Sequence, residues 1–276
     1  MAGARQRSTP GWMHVAAPLL LGLFLFIAWQ LLAASGTIPA TLLPSPGSVA
    51  RRLATEIGGS SLLPRTWITI KESLLGCVLA SSIALPMGYL VGRNRIAEVT
   101  LSPYLAASQA IPAIAVAPLL VIWVGYGMIP IVLLCSLLVF FPVVLSTVLG
   151  LRIIDTDVIE AAQLDGAHGP SMLHHIEWPL ARPSVITGLR NGFTLSITGA
   201  VIGEMVMGGQ GLGMVMSVQS ANNDTAGLFA TILVLCLLAV TIYLAMLAIE
   251  ALTNPLLDRS LPNHRNTSPA IRRNPS

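Results

Sequence analysis

Six stretches of mostly apolar residues dominate this sequence, each near the roughly 20 residues that an α-helix needs to cross the hydrocarbon core of a bilayer. They run over about 15–34, 68–92, 101–124, 130–150, 184–206 and 227–251. The expected fold is therefore an all-α polytopic membrane protein with six transmembrane helices. Composition agrees: hydrophobic residues make up 54% and charged residues 10%, against about a quarter charged in an ordinary soluble domain. Aromatics are only 5%, so the excess is aliphatic. Arg5 and Arg7 precede the first run as they would in a signal peptide, but the run outlasts an ordinary signal core, and an uncleaved first helix is expected. Net charge is +3, with the basic residues scattered at span flanks, so nucleic-acid binding has no support. Cys77, Cys135 and Cys236 lie inside apolar runs and read as small buried hydrophobes, not as disulfides or metal ligands.

Six spans put both termini on one side. With the N-terminus inside, every arginine and lysine except Arg51, Arg52, Arg65 and Lys71 falls on the cytoplasmic side, which is the bias that orients membrane proteins. This divides the chain into a cytoplasmic tail over 1–14, a membrane domain over 15–257 with a cytoplasmic loop at 151–183, and a C-terminal tail over 258–276 expected to be disordered. Outside, Val49, Leu53 and Ile57 recur at helical spacing and predict a short amphipathic surface helix. Pro130 suits the first turn of the fourth span, while Pro112 and Pro118 are expected to bend the third.

Several chemistries are absent. The single lysine, Lys71, follows Ile70, so no phosphate-cradling Gly-Lys-Ser/Thr loop exists. His174, His175 and Glu177 lack metalloprotease spacing, and no nucleophile elbow is present. The run from Gly208 to Gly213 lacks a dinucleotide fingerprint and predicts a flexible turn. An intramembrane enzyme thus has no evident nucleophile or metal set.

The 151–183 loop is the one polar segment large enough to dock a partner. Asp157 and Glu160 have capping-box spacing ahead of a short helix through Ala161, Ala162 and Leu164. Gly166 stands where the chain must leave it in a left-handed conformation. Pro170 can open a second short helix over Ser171–His175, and Pro179 is expected to stop it.

These residues carry a resemblance. Glu160-Ala161-Ala162, three residues, Gly166, nine residues, Ile176, two residues and Pro179 are similar to the EAA loop of binding-protein-dependent ABC importer permeases, with Trp178 where that family usually has Leu. Leu43-Pro44-Ser45-Pro46, Ala117-Pro118-Leu119-Leu120 with Trp123, Gly125 and Gly127, Gly188-Leu189-Arg190, Glu204-Met205 and Gly211-Leu212-Gly213 resemble the taurine, aliphatic-sulfonate and nitrate branch, which also includes carriers of vitamin precursors such as pyrimidines and riboflavin. The resemblance implies a type I importer permease fold in the bacterial cytoplasmic (inner) membrane. It implies two permease subunits, as a homodimer or with a paralogue, two ATPase subunits docked on the EAA loops, and an external substrate-binding protein. No cofactor would be bound by this chain, with ATP and Mg on the partner ATPase. An ion- or proton-coupled secondary carrier is the alternative, but only one intramembrane carboxylate, Glu204, stands out where such carriers want several.

Two further features bear on a pathway. Gly188, Gly192, Ser196, Gly199 and Gly203 advance by four, four, three and four residues, keeping small residues on one face of the fifth span, either for close packing or to line the solute route. Gly88 and Gly92 repeat that spacing once. Glu204, near the outer end of the same span, is by its position a functional or interfacial carboxylate. Arg190 and Glu250 read as interfacial anchors.

Overall fold

The computed structural model describes residues 13–59, 62–108 and 110–253. Most of both expected tails, 1–12 and 258–276, lies outside them. The chain is all-helical: α1 (Met13–Ala34), α2 (Pro46–Gly58), α3 (Leu62–Arg93), α4 (Arg95–Ser108), α5 (Ala113–Val124), α6 (Met128–Arg152), α7 (Thr156–Leu164), α8 (Pro170–Met172), a π-helical turn (Leu173–Glu177), α9 (Trp178–Met207), α10 (Leu212–Ala221) and α11 (Thr225–Thr253). Among the described residues, α3, α6, the run from Pro170 to Met207, and α11 are long and apolar enough to cross a membrane.

The continuous third span expected over 101–124 is not formed. It is two helices, α4 and α5, parted at Pro112. Pro112 has no N–H to donate and pushes Ile111 away from helical angles, so a break results where a bend was expected. At 14 and 12 residues neither piece spans about 30 Å alone. Pro130 does sit in the first turn of α6.

Helix α6 is the centre. α3 lies along one side of it and α9 along the other, and both reach it through small residues. A Cβ at Gly88 of α3 would fall 2.7 Å from the Thr147 Cβ of α6. On α9, a Cβ at Gly192 would fall 2.8 Å from Val139 Cγ1, and one at Gly199 would meet Leu138 Cδ1 at 2.9 Å and the Cys135 Cα at 3.2 Å. Gly188 abuts Ser146, Gly203 abuts Ile131, and the Ser196 Oγ donates to the Ser73 carbonyl of α3 at 2.6 Å. All five small residues of α9 are buried, and the face they form is the contact with α6 and α3. Cys77 and Cys135 are buried in this core, but Cys236 on α11 is exposed, because α11 turns its apolar surface outward where lipid would replace water.

The expected amphipathic helix is α2, begun by Ser45, whose Oγ accepts from the Ser48 amide at 3.2 Å, and by Pro46 in the first turn. Val49 is its buried residue. Arg52 of α2 donates to Asp224 at the head of α11 at 2.7 Å, and Gln219 of α10 joins them by donating to Glu56 at 2.9 Å. Burial works against the charge on Asp224, yet the Gly227 amide and the Arg52 guanidinium hold its carboxyl below the usual Asp value. Arg190 and Glu250, expected as interfacial anchors, pair with each other at 3.1 Å, with the Arg190 guanidinium over the Tyr243 ring.

The seam at α6 leaves no room for a larger residue. Gly199→Leu should lower stability in detergent by about 1–3 kcal/mol, an overpacking cost, while Met205→Leu, on the exposed face of α9, should leave it unchanged. Paired thermal unfolding curves of the two variants check this.

Candidate functional site

Polar chemistry gathers at both ends of α9. At its N-terminal end, α7, α8 and the π turn form a loop that projects from the bundle. The cap of α7 is Asp155 and not Asp157: the Asp155 carboxylate accepts from the Asp157 amide at 3.1 Å, so the helix begins two residues earlier than the capping-box spacing suggested. Asp155 offers the same short carboxylate, and its extended backbone (φ −61°, ψ 134°) is what a cap requires. Glu160 is left exposed.

The helix ends as Gly166 dictates. With φ +88° it is in the left-handed region, its amide donates to the Gln163 carbonyl at 3.0 Å, and the Ala167 amide donates to Ala162 at 2.9 Å. These two bonds satisfy carbonyls that the helix end would orphan. Pro170 opens α8. Pro179 does not stop the second helix, however. The turn over Leu173–Glu177 widens to π geometry, the Trp178 amide donates back to Leu173, and the chain runs on into α9 with Pro179 in its first turn, where a missing donor is tolerated. One rigid rod therefore joins the projecting loop to the α6 seam.

The rod is tied down by Glu177, which is buried and ion-paired with Arg93 at the end of α3. Arg152 at the end of α6 pairs with Glu98 of α4 at 2.6 Å. Of the resemblance residues, Ala162 is buried, Ile176 and Pro179 are half-buried, and Ala161 and Gly166 are exposed beside Glu160. Apolar side chains stand out around them: Leu164 is 90% exposed and Ile153 77%. Exposed aliphatic side chains along a projecting loop are the composition of a partner surface.

At the other end of α9, Glu204 is fully buried. It is shielded from solvent by the protein itself. Thr69 of α3 donates to its Oε1 at 2.7 Å, and the Gly213 amide donates to its Oε2. Thr69 in turn accepts from the Leu212 amide at 2.9 Å, so one hydroxyl and one carboxylate satisfy the first amides of α10. The glycine run is a packed turn and not a flexible one. Gly208 ends α9 in the left-handed conformation (φ +76°), and Gly211 lies so close to Glu204 and Thr69 that no Cβ would fit. Sequence reasoning missed Thr69 and Glu72. Glu72, 2% exposed, is buried on α3, which makes two buried carboxyls on spanning helices where one was counted. The signal was present, since Glu72 is an acidic residue inside the expected second span.

Comparison with known proteins places these features in context. Residues 84–257 match the family described as binding-protein-dependent transport system inner membrane component. The riboflavin transport system permease protein RibX of Chloroflexus aurantiacus is 38% identical over 241 residues, covering 87% of this chain and 90% of that protein. The formylaminopyrimidine transport permease protein ThiX of Halalkalibacterium halodurans is 32% identical over 240 residues, covering 87% and 94%. The putative aliphatic sulfonates transport permease protein SsuC of Bacillus subtilis is 28% identical over 228 residues, covering 83% and 82%. In fold, the chain is similar to a subunit of the MetNI methionine ABC transporter in an inward-facing conformation, with a TM-score of 0.61, 21% identity and coverage of 68% of this chain and 94% of that one.

Removing the hydroxyl that bridges Glu204 and Leu212 should be costly. Thr69→Val keeps the shape but leaves a buried amide and a carboxyl oxygen unmet, for a loss of about 1–3 kcal/mol. Thr66→Val, which removes only a bond to Leu62 one turn back, should be near neutral. Detergent-solubilised melting temperatures of both variants measure the difference.

Proposed function

This chain belongs to the binding-protein-dependent transport system inner membrane components, and from that premise we propose how it works: as one of two permease subunits, a second copy or a paralogue beside it, that together form the pathway of an ATP-driven importer in a bacterial inner membrane. It is a multi-pass transport subunit. In this reading α1, α3, the broken pair α4–α5, α6, α9 and α11 make six crossings, and both termini face the cytoplasm. The projecting loop then faces the cytoplasm too. Glu160, Ala161, Ala162, Gly166, Ile176 and Pro179 seat it in an ATPase subunit that holds ATP and Mg, while this chain holds no cofactor. An external binding protein delivers a small polar organic or oxyanion solute to the opposite end.

The observation that carries the proposal is the rod. Exposed Leu164 and Glu160 sit on a loop continuous with α9, and α9 is pressed along α6, so closure of an ATPase dimer on the loop has a stiff element to push. The small-residue face Gly188, Gly192, Ser196, Gly199 and Gly203 makes that element fit the bundle centre, with Glu204 locking its far end. The solute route runs beside this seam. A second reading, proton-coupled transport, draws on the buried Glu72 and Glu204 carboxyls.

Two measurements test the proposal. Proteoliposomes holding this chain alone should show no ATP-dependent uptake, and addition of the ATPase and binding protein should restore it; uptake driven by a pH gradient without those partners would favour the proton-coupled reading. Gly166→Val places a β-branched side chain at φ +88°, and Glu160→Lys reverses the charge at the loop. Both should reduce co-purification of the ATPase, and transport with it, at unchanged permease yield.

A further inference from the structure

A cleft of about 310 Å³ opens between the C-terminal half of α2, the start of α3 and α10. Arg52, Arg65, Val215 and Val218 line it, together with the better buried Glu56 and Gln219. Most of the charge here is held within the protein. Arg52 meets Asp224 at 2.7 Å and Glu56 at 3.4 Å, and Glu56 also accepts from Gln219 at 2.9 Å. Arg65 is different. It is half-buried, yet among the described residues its guanidinium makes neither an ion pair nor a hydrogen bond.

The sign of the reachable charge follows from what surrounds it. On α2, α3, α10 and the turn before α11 the acidic residues are Glu56, Glu72 and Asp224. Glu72 is buried, and the other two are engaged with Arg52. Arg51, exposed on α2, adds a second cation whose side chain meets only the Gly47 carbonyl, at 3.3 Å. An incoming group thus finds cations without counter-charges and no exposed carboxylate, a field that favours an acidic partner.

The walls narrow the partner further. Val218 is 47% exposed and Val215 half-buried beside the same cleft, so an occupant meets aliphatic surface as well as charge. A guanidinium next to aliphatic side chains is the composition of a protein interface, and a carboxylate is its bidentate match. A glutamate side chain satisfies both, with its methylene stem on the valines and its carboxylate on Arg65. A bare inorganic anion would leave the valines wet.

Resting on the reading that this end of the bundle faces outward, we propose that the cleft is the docking socket for an acidic side chain of the external binding protein, with Arg65 as its ion-pair partner. The socket adjoins the joint that pins α9. Arg65 stands one helical turn before Thr69, whose hydroxyl links Glu204 of α9 to the first amide of α10, and α10 is a wall of the cleft.

Biolayer interferometry on the permease–ATPase assembly in nanodiscs measures docking directly. The probe is the binding protein that restores uptake in the complete assembly, applied with its solute bound. Wild-type docking should weaken as salt is raised, because the pair is partly exposed. Arg65→Gln should weaken it about tenfold, chiefly through slower association, Arg65→Glu should weaken it further, and Arg65→Lys should recover most of the loss. Lys71→Gln removes an exposed cation of α3 that does not line this cleft, and should change affinity by less than about twofold. Wild-type affinity in Arg65→Glu, or equal losses in Arg65→Gln and Lys71→Gln, would overturn the socket. So would an Arg65→Gln chain that fails to assemble, since Arg65 would then have a structural partner. Saturable binding of sulfate or ethanesulfonate that is lost in Arg65→Gln while docking is kept would make the cleft a small-anion site and overturn the proposal as well. Docking that ignores Arg65 leaves the importer reading standing, whereas a complete assembly without ATP-driven uptake counts against that reading and the socket together.

Discussion

The approach of α6 to its neighbours is controlled by backbone and not by side-chain bulk. Between helices in lipid, burying one more leucine gains little, since the lipid tails are as apolar as the leucine. What remains is close contact, and close contact needs residues without side chains. Gly88 on one flank and Gly192 and Gly199 on the other bring α3 and α9 onto α6 at distances that a methyl group would prevent. The hydroxyl of Ser196 adds a hydrogen bond to the α3 main chain at the same depth. The rest of the bundle packs outside this three-helix contact, including α11, most of whose apolar surface faces outward.

Polar groups are placed at the two ends of that contact. At one end Arg93 and Glu177 tie the projecting loop to α3, an exposed guanidinium meeting a buried carboxylate. At the other end Glu204 and Thr69 close off the start of α10. α9 is thus pinned at both ends and smooth between them, a shape suited to moving as a unit. Both carboxyl oxygens of Glu204 are engaged in these bonds. Glu72 on α3 is the group with capacity to spare.

Length and period were the legible part of the sequence. Apolar runs marked α3, α6, α9 and α11 to within about six residues, and the spacing of Val49, Leu53 and Ile57 marked α2. Gly166 announced its left-handed turn because no other residue adopts that conformation at so little cost. Prolines were read less well. Pro112 broke a span, whereas Pro179 was absorbed, and the difference lies in the neighbouring turn: a widened π turn accommodates a missing donor, but nothing at Ile111 does. The partners of Glu204 were out of reach for another reason. Thr69 lies 135 residues away along the chain, and neither a threonine nor a glycine-rich turn announces which buried carboxylate it will meet.

The π turn at Leu173–Glu177 also sets an angle. A widened turn carries about one residue more than an α turn, and each residue of an α-helix advances the chain by about 100°. The turn therefore works as a phase shifter. It decides which side of the rod Leu164 and Glu160 look out from, given that the glycine face of α9 must look toward α6. Deleting a single residue there could leave every helix intact and every contact at the seam in place, yet aim the loop a quarter turn or more away. In a chain built this way, the length of one irregular turn is information about direction, held separately from the residues that supply affinity.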